Sequence, residues 1–238
     1  MPPLLHPRLF LCVPAVPWGR VIPMDADAFV RANTALTAPP LLPEISLHLA
    51  TEVTPLWEAT EETLERFNVP PPYWAFAWVG GQAVARLVLD RPELVAGKRV
   101  LDFASGSGIA GVAAAKAGAA RVVSAEIDAF ALAAIRLNAE ANGVTLEVTG
   151  DDLVGGPLAG FDVVLAGDVF YEKPMTDRVE PWLRSLAAGG AFVVVGDPGR
   201  AYLPKQGLEF LARTPVPTTI AIEDREMRET TVWRLLPG

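Results

Sequence analysis

Five carboxylates, Asp102, Glu126, Asp151, Asp168 and Asp197, stand in or just after short apolar runs of the chain. Acids so placed can accept hydrogen bonds from hydroxyls, amines and backbone amides, or face a cation. The first lies in LDFASGSGIAG, Leu101 to Gly111, where Gly106 and Gly108 form a loop without side-chain bulk. Such a loop lets backbone approach a ligand closely. Gly106 to Gly111 is also a literal G-x-G-x-x-G, the pattern of a dinucleotide loop. A dinucleotide brings a pyrophosphate, which a carboxylate beside the loop repels. S-Adenosylmethionine brings an ammonium, a carboxylate and a cationic sulfur, so Asp102 favours the methyl donor. Its alternative role is to cap local backbone amides. Gly111 is expected inside the following helix, where it serves packing.

Glu126 follows the loop by about twenty residues, where an acid can accept both hydroxyls of a ribose. That supports a nucleoside without choosing between the two ligands. Asp128 reads as the N-cap of the next helix. Asp151 or Asp152 can accept from an adenine amine, with a helix cap or solvated turn as the alternative. In GDVFYE, Asp168 and Tyr171 point toward the crevice at the carboxyl ends of the strands. An acid there can hold a substrate amine by a charge-assisted hydrogen bond, and Phe170 and Tyr171 can wall its methylene stem. The alternative makes Asp168 a turn residue and Phe170 core.

Positioning these groups falls to alternating strands and helices. RVLDFA, RVVSAEI, LEVTG, FDVVLAGDVF and AFVVVGDP predict five strands, with helices at IAGVAAAKAG, AFALAAIRLNAEANG and PMTDRVEPWLRSLAAGG. Short strands fed by crossover helices imply a parallel sheet covered on both faces. PTTIAIE and ETTVWRLL, separated by DREMR, predict an antiparallel pair at the sheet edge. Upstream lie a helix at DADAFVRAN capped by Asp25 or Asp27, a strand at EISLHLA, and a helix at TPLWEATEETLERF capped by Thr54. Pro70 to Pro72, the aromatic cluster Tyr73 to Trp78 and a helix at QAVARLVLD follow. The expected organisation is an extension over 1–24, an N-terminal helical lead over 25–98 carrying the aromatic segment, and a ligand-binding core over 99–238.

Composition narrows the partners. A net charge of −8 disfavours nucleic acid, whose phosphates call for clustered Lys and Arg. No run of about 18 uncharged apolar residues suggests a membrane span. A single cysteine, Cys12, and two histidines, His6 and His48, leave no ordinary metal-ligand set. The run LFLCV after Arg8 faintly suggests a signal peptide, but Pro14 and Pro17 interrupt it. Met24 opens a more ordinary cytosolic start, so a cytoplasmic location is expected and the start, Met1 or Met24, stays open.

LDFASGSG, AEID, GDVFYE and YWAFAWVGGQA together resemble the seven-β-strand lysine methyltransferases grouped as methyltransferase family 16. PEISLHLATE, FDVVLAGDVFYE and VVGDPGR extend the resemblance from Pro43 to Arg200, toward the subgroup acting on electron transfer flavoprotein β-subunit. The resemblance implies a Rossmann-like class I methyltransferase fold, a mostly parallel seven-stranded sheet with a C-terminal antiparallel hairpin. It implies S-adenosylmethionine as methyl donor and a protein lysine as acceptor, with no metal. By position, Trp78 lines the donor site; Asp102, Ala104, Ser105, Gly106 and Gly108 contact its methionine part; Glu126 takes the ribose and Asp151 the adenine side. Asp168 and Tyr171 match the D/E-x-x-Y/F motif that places the lysine, with Phe170, Asp197 and Arg200 beside it, the last two with a structural turn as alternative. Ala104 departs from the family's first loop glycine, and DDLVGGPLAG does not obviously preserve the adenine contacts. Rival readings are methylation of a ribosomal protein or of a small nicotinamide-type molecule. A dinucleotide-binding or non-catalytic module is a further alternative, opposed by Asp102 and the terminal hairpin.

Overall fold

A computed structural model describes residues 25–51, 56, 71–156, 160–219, 223 and 225–238. The expected extension over 1–24 and almost all of the helix expected at TPLWEATEETLERF lie outside the described residues.

Five strands run parallel: β3 (Arg99–Phe103), β4 (Arg121–Ala125), β5 (Glu147–Thr149), β6 (Val163–Gly167) and β7 (Phe192–Asp197). With β8 (Leu208–Pro217) and β9 (Met227–Leu235) they form one sheet in the order β5-β4-β3-β6-β7-β9-β8, the last two antiparallel. The helices are α1 (Ala26–Asn33), α2 (Val79–Asp90), α3 (Ile109–Lys116), α4 (Ala129–Ala141) and α5 (Lys173–Ala188). Successive strand residues go to opposite faces. Val163, Leu165 and Val194 pack with Val84, Val88 and Val112 of α2 and α3. Leu101, Val164, Val193 and Val195 pack with Val179, Trp182 and Leu183 of α5. Both faces are covered, so the strands read as near-continuous apolar runs rather than alternating ones.

Ahead of the sheet, Asp25 caps α1 by accepting from the amides of Asp27 and Ala28. A small hairpin pairs β1 (Ala35–Thr37) with β2 (Leu47–Leu49); β2 falls within the expected strand, whereas β1 was not anticipated. Two asparagines of α4 and its end strap this hairpin down. The Asn142 side chain exchanges hydrogen bonds with the backbone N–H and C=O of Ser46, 3.1 and 2.6 Å. Asn138, fully buried, accepts from His48 N and donates to Ser107 O in the glycine loop, 2.7 and 2.8 Å.

The C-terminal pair exists, and its first strand is LEFLARTPVP; of the expected PTTIAIE, Pro217 ends that strand and residues 220–222 lie outside the described residues. Pro215 and Pro217 disguise the strand. Proline has no N–H to donate and fits a strand whose outer side has no partner, and β8 is the sheet edge. A register shift between Phe210 and Ala212 further breaks its alternation. No helix among the described residues is long and apolar enough to cross a membrane.

Candidate active site

A cavity of about 660 Å³ opens where β3, β4 and β6 end, bounded also by the aromatic segment before α2 and by α5. Trp78, Ala104, Gly106, Glu126, Asp151, Asp168, Tyr171 and Arg200, eight of the residues expected at the site, line it. Asp102, Ser105, Gly108, Phe170 and Asp197 do not.

At the ends of β3 and β4 the chain turns sharply. Ala104, Gly106 and Gly108 have φ of 50°, 54° and 81°, the left-handed region that costs a side-chain-bearing residue about 1–2 kcal/mol. The alanine replacing the family's first loop glycine thus sits where glycine is favoured. Glu126 locks the turn from the next strand. One of its oxygens accepts from Gly106 N at 3.0 Å, the other from Ile127 N at 2.7 Å and Asp128 N at 3.4 Å. Asp128 caps α4 through the amides of Phe130 and Ala131, as expected. Asp151 is exposed on the wall and accepts from its neighbour Thr149 Oγ1 at 2.8 Å.

The structure corrects the expectation for Asp102. Leu101 and Phe103 face the α5 side, so Asp102 projects the opposite way, beneath α3. It is buried and accepts from Ser105 Oγ, from Gly111 N at 3.0 Å and from Ser124 Oγ at 3.2 Å. Burial pushes its carboxyl up to about 7 despite those donors. It holds the loop from behind, the capping alternative, and the Ser105 hydroxyl belongs to the same buried cluster. Gly111 is needed there, since a Cβ would come within 2.6 Å of Ser124 Oγ and 2.8 Å of Asp102 Oδ2.

At the ends of β6 and β7 the geometry is tighter still. Asp168 also has a left-handed backbone, φ 56°, a conformation aspartate tolerates better than most. Its Oδ2 accepts from Gly80 N at 2.6 Å and Gly81 N at 3.1 Å. It thereby caps α2 from outside, since Trp78 at the N-cap position makes no side-chain cap. Oδ1 accepts from Arg200 Nε and Nη2 at 3.1 and 2.7 Å. Burial pushes the carboxyl up to about 6, against the pull of the Arg200 charge. The approach of α2 to the strands is possible only with glycines. A Cβ on Gly80 would lie 2.4 Å from Gly196 O, one on Gly167 2.5 Å from Gly81 N, and one on Gly196 2.2 Å from Gly80 O.

Asp197 proves to be the turn residue. Its Oδ1 accepts from Gly199 N and Arg200 N at 2.6 and 2.7 Å, which fixes the loop carrying Arg200. Arg200 Nη2 reaches Glu223 Oε1 as well, at 2.8 Å. Phe170 is fully buried in the α5-side core with Val169, the core alternative. Tyr171 and Tyr73 stay exposed at the cavity mouth with ring centroids 6.1 Å apart. Trp78 Nε1 donates to Tyr73 O at 2.8 Å and its ring lies 6.0 Å from that of Tyr73. Tyr73, Gly80, Gly81 and Glu223 were not singled out as site residues from sequence; the paired glycines opening a helix were the available signal for two of them.

Among the described residues, six acids, Glu126, Asp128, Asp151, Asp152, Asp168 and Glu172, face the cavity against two cations, Arg178 and Arg200. Phe103, Leu153, Val154, Met175 and Val179 supply apolar wall between them. Such a cavity accepts a cationic ligand with a flat apolar portion and repels a pyrophosphate. Among the described residues no group of three or more His, Cys, Asp or Glu is arranged to hold a metal ion.

Residues 84–196 match the family of ribosomal protein L11 methyltransferase (PrmA). The chain is 36% identical over 217 residues to the electron transfer flavoprotein beta subunit lysine methyltransferase of Danio rerio, covering 88% of this chain and 83% of that one. The Homo sapiens protein of the same name is 32% identical over 234 residues, covering 93% and 87%. A solved Thermoplasma acidophilum structure superposes with a TM-score of 0.50 at 16% identity, covering 66% of this chain and 89% of that one, a likeness of fold alone.

Proposed function

Because the chain belongs to the electron transfer flavoprotein β-subunit lysine methyltransferases, we propose that it methylates a lysine amine of an electron transfer flavoprotein β-subunit, using S-adenosylmethionine. The observation that carries the reading is the placement of Glu126, after β4, and Asp168, after β6, on either side of β3 on one acid-lined cavity whose mouth is aromatic.

The residues present fit the donor. Glu126 faces the cavity while its backbone donors fix its orientation, a pose suited to ribose hydroxyls. The loop Ala104–Gly106 and the acidic surround suit the methionine part, and Asp151 with the wall of Leu153 and Val154 suits the adenine side. Trp78 closes the site from the aromatic segment. When bound, S-adenosylmethionine supplies a methyl group already activated on a cationic sulfur. The protein's task is then alignment and exclusion of water, which can be worth several kcal/mol, on the order of 7–11 in the best cases. Tyr73 and Tyr171 flank the lysine stem at the mouth, and the Asp168 side receives its amine. Among the described residues no histidine lines the cavity, and the oxygens of Asp168 are already engaged, so water is the acceptor of the amine's proton.

The test is transfer of a labelled methyl group to recombinant electron transfer flavoprotein β-subunit, with mass spectrometry to place it. Label on a lysine is expected; a wild-type protein that binds NAD but not S-adenosylmethionine in calorimetry defeats the reading. The match of residues 84–196 to the L11 methyltransferase family favours a ribosomal protein as the second reading. Ribosomal protein L11 offered in the same assay separates them.

A further inference from the structure

We infer that Arg200 is a positioning residue that presents Asp168 to the cavity as an already neutralised carboxylate, so that the target lysine amine is taken up without its proton. The inference rests on the lysine methyltransferase reading and deepens it.

An ionised carboxylate offers about four acceptor positions, and four N–H groups occupy those of Asp168: two from the start of α2, two from the Arg200 fork. The first pair belongs to a helix N-terminus, which carries partial positive charge. The second is a full positive charge held in place from two sides. The Asp197 turn fixes the Arg200 backbone, and Glu223 accepts at 2.8 Å from the same Nη2 that serves Asp168. Both Asp168 and Arg200 reach the cavity wall.

The consequence is electrostatic. A free carboxylate beside an amine binds it as ammonium and raises its pKa, which locks up the lone pair that must attack. Neutralised by Arg200 and α2, Asp168 does not reward the extra proton, while the guanidinium next to it opposes the ammonium. The proton therefore leaves to water as the amine enters. The lone pair then forms the nitrogen–carbon bond while the methyl–sulfur bond breaks, its electron pair staying on sulfur. Among the described residues, Asp197 bears on Asp168 directly, Glu223 through Arg200, and Tyr171, Glu172 and Glu126 share the cavity. Arg200 also serves Glu223, so R200K, which keeps the charge, is set against R200Q to separate loss of charge from loss of that contact.

The test is calorimetric binding of recombinant electron transfer flavoprotein β-subunit to the full chain loaded with S-adenosylhomocysteine, in two buffers of different ionisation enthalpy. Wild type is expected to release about one proton per lysine bound, and R200Q less than half of that. R200K keeps the charge without the fork and is expected to retain the release. In parallel, the acid limb of kcat, which reports ionisation in the bound complex, should move up by about one pH unit in R200Q, a roughly tenfold loss on that limb that alkaline pH restores. Unchanged proton release in R200Q with an equal rate loss at every pH overturns the inference and leaves Arg200 a structural tie. Loss of release in R200K as well as in R200Q overturns it too, since charge would not be the agent. A wild type that transfers no methyl group to lysine is a different result: it removes the functional reading on which this one stands.

Discussion

Two strand ends meet in the cavity, and they solve one problem differently. After β3 and after β6 the chain places a non-glycine residue in left-handed backbone, Ala104 and Asp168. Each turn is then held by a carboxylate on backbone amides, Glu126 on Gly106 and Asp168 on Gly80 and Gly81. The first turn is assembled mainly within Leu101 to Asp128, from one strand-helix-strand unit, with Asn138 of the next helix donating to Ser107 O. The second needs α2, the ends of β6 and β7, and Glu223, which the chain brings together only when the sheet is complete. A locally built turn keeps its shape under most substitutions nearby. A turn built from four distant segments fails when any one of them shifts. Donor binding should accordingly prove more robust than transfer.

Substitutions can break that contrast or sharpen it. The largest effect is expected from Gly196→Ala, whose Cβ would sit 2.2 Å from Gly80 O and 2.8 Å from Val84 Cγ2. Backbone cannot step aside, so stability should fall by about 3 kcal/mol or more in urea unfolding. A loss under 1 kcal/mol would mean that α2 is free to shift and the second turn is less constrained than described. Next, Asp168→Ala should lower kcat about a hundredfold or more while the dissociation constant for S-adenosylmethionine, by calorimetry, changes little. Glu126→Ala should do the reverse, weakening donor binding about tenfold with kcat at saturating donor largely kept. Equal damage to both parameters in both variants would erase the division of labour.

Smaller effects test the first turn alone. The Asp102 carboxyl titrates at about 7 folded, against 3.8 for an ordinary aspartate. Between those values the folded protein holds a proton that the unfolded chain has lost. This group's contribution to stability is therefore greatest at the acid end and declines as pH rises toward 7. Asp102→Asn cannot titrate, so its stability relative to wild type should climb across that window; parallel curves would count against a protonated, buried Asp102. The smallest change is Ala104→Gly. It relieves the left-handed strain but frees the unfolded chain, so a gain of at most about 1 kcal/mol is expected, with no loss of donor affinity.

The first turn was largely legible because its signals are short-range: apolar runs, Gly106 and Gly108, and an acid about twenty residues on. Even the misplacement of Asp102 had a readable cause. Leu101 and Phe103 flank it and share the α5-side core, so strand alternation already sends Asp102 to the other face. The second turn was legible only in part. The D-x-x-Y spacing located Asp168 and Tyr171 on the wall, while Phe170 took its alternative role in the core, on the face that Val164 and Ala166 already share. Nothing near Asp168 announces that Gly80 and Arg200 will fill its oxygens, because those contacts span 88 and 32 positions. At the far end, prolines hid a strand that its place at the edge allows, and β1 has too few residues to show a period.

Those same prolines bear on how the molecule behaves in company. An open sheet can recruit a second copy through a free outer strand, the first step toward aggregates. One outer strand, β5, is only three residues long and begins at Glu147, which pairs with Arg121. The other, β8, is long enough to serve as a template but carries Pro215, Pro217 and an interrupted register. One edge is too short to template a neighbour and the other lacks donors where a neighbour would bind. Replacing Pro215 and Pro217 with valine would remove this guard, and light scattering of the concentrated variant should show self-association that the wild type resists.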